Sequence, residues 1–212
     1  MSNIKETETC RTPGERLIYL RSLTRLERKA FGELYDIPEG SIRLWETSKS
    51  PITIKAINRC IKAYLQEGIN VTKEWIQDGI GDTPKHDRSL FAFNHDSADL
   101  SSIITTNIAD DFAYFRKTYP GCILYEIITE EMEPIYKKGD FVMGKINTKE
   151  LKEIHLKDCI IQLTSGQIRF RRVFITPQNT INLHSINPLD PAEPIINAQT
   201  EIIAPVIVQY KI

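Results

Sequence analysis

The chain has 212 residues, 41% of them hydrophobic and 26% charged, enough for two packed domains of about 100 residues each. Lys and Arg number 27 against 28 Asp and Glu, and this net charge of -1 excludes coating of nucleic acid through bulk positive charge. No run of about 18 apolar residues occurs, so no membrane-spanning helix is expected, and the opening MSNIKETETCRT lacks an apolar signal core.

Cys10, Cys60, Cys122 and Cys159 are widely separated and make no CxxC pair, and His86, His95, His155 and His184 are equally scattered. Neither set has metal-ligand spacing. The expectation is a cytoplasmic chain with reduced thiols and with no metal or cofactor.

Residues 13 to 82 read as helices. Thr12 is placed to cap the first, with Pro13 in the first turn and Glu15 as the reciprocal capping partner; Leu17, Ile18, Leu20 and Leu23 then recur at helical spacing. A second helix is expected over Leu26 to Tyr35 with Ala30, Phe31 and Leu34 inward, broken by Asp36-Ile37-Pro38. GSIRLWET forms a short third helix, ITIKAINRCIKAYLQEG a longer fourth ending at Gly68, and Thr72 caps a last short helix closed by Gly79. Two short helices separated by a three- or four-residue break fit a helix-turn-helix, the unit that lays its second helix in the DNA major groove, and fit a plain helical bundle equally well. Gly32 is small where the helices cross, and Ile37 and Ile42 are apolar where the crossing needs packing. From Arg11 to Lys62 there are eleven bases and six acids, so this segment is positive although the whole chain is not.

AFGELYDIPEGSIRLWE resembles the five-helix helix-turn-helix of the phage repressor (Xre/Cro/CI) class, including its Trp-Glu pair, and GINVTKEWIQDGIGDTP resembles the segment closing that domain. The resemblance covers Pro13 to Pro84 and implies a DNA-binding domain over residues 11–84. Asp36 stands where the class usually has glycine, a substitution the left-handed turn tolerates. With the third helix in the groove, Arg43 is the candidate for a paired hydrogen bond to guanine. Ser41 reaches a base or phosphate, Glu39 accepts from cytosine, and Gly40 shares that edge. Arg28, Lys29 and Lys49 are the candidate phosphate anchors. Trp45 reads as a core residue.

Residues 85–120 read as a linker, with Asp110 to Tyr119 as a short helix or an approach strand. Beyond it, CILYEIIT, DFVMGKI, DCIIQLT, QIRFRRVFIT, TINLHSI and EIIAPVIVQYKI are six β-branched runs. Ser165-Gly166 and Pro177-Gln178-Asn179 supply turns. The fold class is α+β: an all-α helix-turn-helix domain followed by a mostly β domain over residues 121–212.

Met132-Glu133-Pro134-Ile135 and Gly139-Asp140-Phe141-Val142 resemble the Met-x-Pro…Gly-Asp-x-Val motif of the LexA/CI self-cleaving repressor domain, a relative of signal peptidases; the match covers about Gly121 to Ile212. In that family a serine before the methionine is the nucleophile and a lysine in the strand after the hairpin is its base. Here Glu131 and Arg171 stand in those places. A carboxylate cannot replace the hydroxyl, and a guanidinium stays protonated, so no catalytic residues are assigned. Ser165 reads as a turn residue. Adjacent dyad positions make Glu131 and Arg171 candidates for an ion pair; a partner role for Arg172, or an outward rotamer, is an equally simple alternative.

The resemblance implies a non-self-cleaving transcriptional repressor with a double-stranded DNA operator and a homodimer joined through the C-terminal domain. The apolar strand Ile202 to Val208 is a candidate contributor to that dimer. Two linked heads gain affinity by effective concentration. The alternatives are a self-cleaving serine hydrolase of the LexA type, or a repressor whose degenerate cleft senses a peptide or antirepressor protein.

Overall fold

The computed structural model describes residues 10–87, 89–91, 111, 114, 118–146, 150–189 and 192–212. The chain forms two compact units, residues 1–87 and 88–212.

The first unit is helical. α1 (Pro13–Thr24) opens with the expected capping box: Thr12 Oγ1 accepts from the Glu15 amide, while the Glu15 carboxylate accepts from the Thr12 and Arg11 amides at 2.8 Å. Those amides hold the Glu15 carboxyl below its ordinary range, the Thr12 backbone bond being the largest cause. α2 (Arg28–Tyr35) ends at Asp36, which adopts the left-handed conformation at φ 54°. α3 (Glu39–Glu46) follows after Ile37 and Pro38. α4 (Ile54–Gln66) is capped by Thr53, and α5 (Lys73–Asp78) by Thr72, with Gly79 left-handed at its end. These caps satisfy amides and carbonyls that a helix end leaves without intrahelical partners.

The α2–α3 crossing explains Gly32. A Cβ there would lie 2.5 Å from the Ile37 carbonyl oxygen, so any side chain would force the turn open. Phe31, Gly32, Ile37 and Ile42 are buried along this crossing. Ala30 and Leu34, expected inward, are exposed; the crossing buries only the Phe31–Gly32 edge of so short a helix. Phe31 also packs on Tyr35 and Tyr64, with ring centroids 4.9 and 5.2 Å away.

Arg16 is buried at 3% exposure, and its partners among the described residues are carbonyls. Its guanidinium donates to the carbonyls of Ile76, Gln77, Cys10 and Arg11, so it closes the C-terminal end of α5 with side-chain donors. A two-stranded ribbon completes the unit: β1 (Ile69–Asn70) pairs antiparallel with β2 (Lys85–His86). The Tyr19 hydroxyl donates to the Pro84 carbonyl, which ties this return to α1.

The second unit is mostly β. Its strands are β3 (Leu90–Phe91), β4 (Cys122–Glu126), β5 (Phe141–Lys145), β6 (Asp158–Leu163), β7 (Ile168–Ile175), β8 (Ile181–His184) and β9 (Thr200–Tyr210). They form one antiparallel sheet in the order β3-β4-β5-β9-β6-β7-β8. The last strand holds the sheet together. Thr200 to Pro205 of β9 pair with β6, and Val206 to Tyr210 pair with β5. The switch falls at Pro205–Val206, where a residue lacking an amide proton removes no ladder bond from a continuous pairing. Gly144 of β5 is needed opposite it, because a Cβ would meet the Ala204 carbonyl oxygen at 2.7 Å.

One face of β6 to β8 buries Cys159, Ile161, Leu163, Val173, Ile181 and Leu183 with Ile154 and Ile203. On β9, Ile202, Ile203 and Ala204 are buried, whereas Ile207 is 44% exposed. The first half of the apolar run is therefore sheet core. Two elements lie inside the stretch read as a linker: β2 belongs to the first unit, and β3 pairs with β4. Strands of two residues carry no period from which to read them. The helix or strand expected over Asp110 to Tyr119 falls mostly outside the described residues.

Candidate functional site

In the helical unit, a buried carboxylate fixes the position of α3. Glu46, at its C-terminal end, has a side chain only 1% exposed. Arg21 of α1 approaches it at 2.6 Å through Nε and 3.2 Å through Nη2, and Arg28 of α2 donates through Nε at 2.5 Å. One acidic group thus fastens three helices. Burying two charges together is tolerable because each hydrogen-bonds the other, and removing either leaves an expensive orphan. Arg28, read as a phosphate anchor, is directed toward protein through this bond.

The opposite face of α3 is open. Ile42 and Glu46 are buried, while Glu39, Gly40, Arg43, Leu44 and Thr47 are exposed and Ser41 and Trp45 half-buried. At about 100° per residue, Gly40, Arg43, Leu44 and Thr47 line one stripe. Arg43 is exposed along one edge of it. Lys29 on α2 and Lys49 after α3 are exposed as well. Ser41 donates its amide to the Pro38 carbonyl at 2.9 Å, within the first turn. Glu39 sits in that turn, where the helix dipole favours an acid with or without a base to read. Of Ile42, Leu44 and Trp45, which the sequence says cannot all face solvent, Leu44 is the one on the stripe, 41% exposed.

In the β unit, Glu131 and Arg171 meet as expected of their adjacency. Arg171 Nε donates to Glu131 Oε2 at 2.7 Å, with the arginine side chain 4% and the glutamate 20% exposed. Arg171 Nη1 also donates to the Glu193 carbonyl at 3.2 Å. The turn carrying Glu131 is held from the far side of the sheet. Ser185 Oγ donates to the Glu131 carbonyl, which also accepts from the Ile186 and Asn187 amides, and Asn187 Nδ2 donates to the Glu130 carbonyl. Met132, next in chain, is fully buried. Ser185 and Asn187 went unnoticed in sequence; SIN after a strand is ordinary turn composition.

Arg172, the neighbour on β7, makes a two-pronged pair with Asp158 at 2.7 and 3.0 Å, and Tyr136 donates to the same carboxylate at 3.1 Å. Strand alternation sends the two arginines to opposite faces. Burial, then the nearby Asp158 charge, pushes the Tyr136 phenol up to about 12. The hydrogen bond to Asp158 raises Arg172 further.

Among the described residues of this unit, the nucleophile and base candidates include Ser165, Cys159 and the lysines. Ser165 is exposed at the tip of the β6–β7 hairpin, where Gly166 has φ 84°. Burial pushes the Cys159 thiol up to about 12, far from a reactive thiolate. Every described lysine of the unit (Lys137, Lys138, Lys145, Lys152, Lys157, Lys211) is exposed, without the burial that yields a neutral amine. Among the described residues no three His, Cys, Asp or Glu side chains gather as a metal site requires, and no helix is long and apolar enough to cross a membrane.

The fold and these sites define an α+β chain whose mostly β half has the architecture of a LexA/CI-type domain. The Peptidase S24-like family model matches residues 90–207, more than half of the chain, and the chain belongs to that family. The family takes in both LexA/CI repressors and peptidases. A comparison with curated proteins returned no match.

Proposed function

We propose that this protein is a sequence-specific DNA-binding transcriptional regulator, a phage-type repressor that does not cleave itself and that pairs through its S24-like unit. The observation carrying the DNA-binding half is the fixed, outward-facing stripe of α3. Its inner face is locked by Glu46 to α1 and α2, while Arg43 on its outer stripe, Lys29 on α2 and Lys49 just after α3 are all exposed. A rigid helix with an outward guanidinium and further exposed cations on the same helix-turn-helix suits a major groove flanked by phosphates. In this reading Arg43 reads guanine, Ser41 and Glu39 contact neighbouring groups, and Lys29 and Lys49 hold phosphates. Arg28 serves mainly to brace α3.

The pair at Glu131 and Arg171 supports the absence of self-cleavage. A carboxylate and a permanently protonated guanidinium occupy the positions at which the family places nucleophile and base, and they neutralise each other. Subunit pairing belongs to the same reading, because one short helix in one groove binds weakly and two linked heads read a symmetric site. Exposed Ile207 on β9 is the candidate contact.

Two experiments test this. Selection of bound duplexes from a random pool should return a two-fold symmetric site, and failure to enrich any duplex at low ionic strength contradicts the reading. Incubation at alkaline pH should leave the chain intact; two discrete fragments would establish a hydrolase.

A further inference from the structure

We propose that Gly40 and Leu44 form a notch on α3 that receives the 5-methyl group of a thymine, beside the guanine read by Arg43. The inference rests on α3 being the groove-reading helix and adds a base to the expected half-site. Gly40 is the second residue of α3, in its first turn, and no contact among the described residues requires a glycine there. Gly40 is helical, its φ lies outside the left-handed region, and a Cβ built on it would meet no atom within 4 Å. Gly32, by contrast, is demanded by the Ile37 carbonyl. What Gly40 keeps clear is therefore space outside the protein.

Leu44 lies one turn further along the same stripe, so the two residues are neighbours on the helix surface. It is 41% exposed, next to Arg43 in the chain, and its carbonyl accepts from the Lys49 amide at 2.9 Å. An apolar side chain beside an exposed guanidinium fits a polyanion that carries an apolar mark at close range. Among the groups that base pairs display in the major groove, the thymine methyl is the apolar one. A methylated glycine would fill the notch, and a polar residue at 44 would forfeit the contact.

The test begins from the selected duplex, in which each thymine is replaced singly by deoxyuridine, removing the methyl and nothing else. At one position per half-site the change should weaken binding of the full-length protein about fourfold, as expected for one methyl left unburied. Leu44→Ala should bind thymine and uracil duplexes equally, whereas Leu44→Met should keep the difference. Gly40→Ala should unfold no earlier than the parent, followed by the fluorescence of Trp45 and Trp75, both in this unit, yet bind the duplex more weakly. Indifference of the parent to uracil at every position overturns the contact while leaving DNA binding intact, as does a thymine preference that survives Leu44→Ala. Failure to select any duplex removes the regulator reading, and the contact with it.

Discussion

In the helical unit the most buried member of the ion-pair cluster is an acid, Glu46, reached by arginines from two other helices. In the β unit it is a base, Arg171, and the partly exposed member is Glu131. The direction of burial matters. Around Glu46, charge is drawn inward and the outward face of α3 is left with Arg43 and open space at Gly40. Around Arg171, the pair ties β7 to the turn that carries Glu131 and the buried Met132. One unit gathers its ion pairs around a buried acid, and the other around a buried base.

That contrast can be broken most severely at Glu46. Glu46→Ala strands two arginines, and the helical unit should lose about 3 kcal/mol, toward the lower end for a broken buried pair because both arginines retain some water contact. Urea unfolding followed by tryptophan fluorescence reads this directly, since Trp45 and Trp75 both lie in that unit. A loss below about 1 kcal/mol would show the cluster to be no more than a surface pair.

Glu131→Ala should cost the β unit about 2–3 kcal/mol, because among the described residues Arg171 then keeps the Glu193 carbonyl alone for its charge. Hydrogen exchange of the β7 amides is the readout. The double change Glu131→Leu with Arg171→Met should recover most of the loss, as expected when an ion pair is replaced by apolar groups of similar volume. If the double variant remains as unstable as the single, the pair is not the fastening element. Arg43→Ala should leave unfolding unchanged and weaken binding to a selected duplex by about 1–3 kcal/mol, the worth of one bidentate base contact.

The smallest effect belongs to the first helix. Thr12→Ala should cost about 1 kcal/mol, measured by the same tryptophan-detected unfolding. The reciprocal half of that cap depends on pH. The Glu15 carboxyl is lowered in the folded chain, so its contribution is present above the ordinary glutamate range and lost as pH falls through the lowered native value. A cap effect that grew on acidification would contradict the capping box.

Much of this architecture could be read from residues whose roles are local. Thr12, Thr72 and Gly79 announce helix ends because their side chains, or the lack of one, answer unpaired backbone groups within three residues. Asp36 tolerates the left-handed turn for a similarly local reason. Six strands were marked by β-branched runs between turns, and all six are present. The features hidden in sequence are those decided by distant partners. Nothing near Arg16 signals that four carbonyls will surround it. Leu34 and Leu44 are apolar yet exposed, because α2 and α3 are too short to bury more than one edge each. The Glu131–Arg171 contact, across forty residues of chain, was reached through family resemblance and not through spacing.

The claim that α3 presents its outer stripe to a major groove is tested most directly by guanine N7 methylation interference on the selected duplex. Methylation there places a group in the major groove at the atom Arg43 is assigned to read. The expected result is one sensitive guanine in each half-site, symmetric about a two-fold axis, whose effect disappears with Arg43→Ala. Interference that is absent, or that persists undiminished in Arg43→Ala, would contradict it.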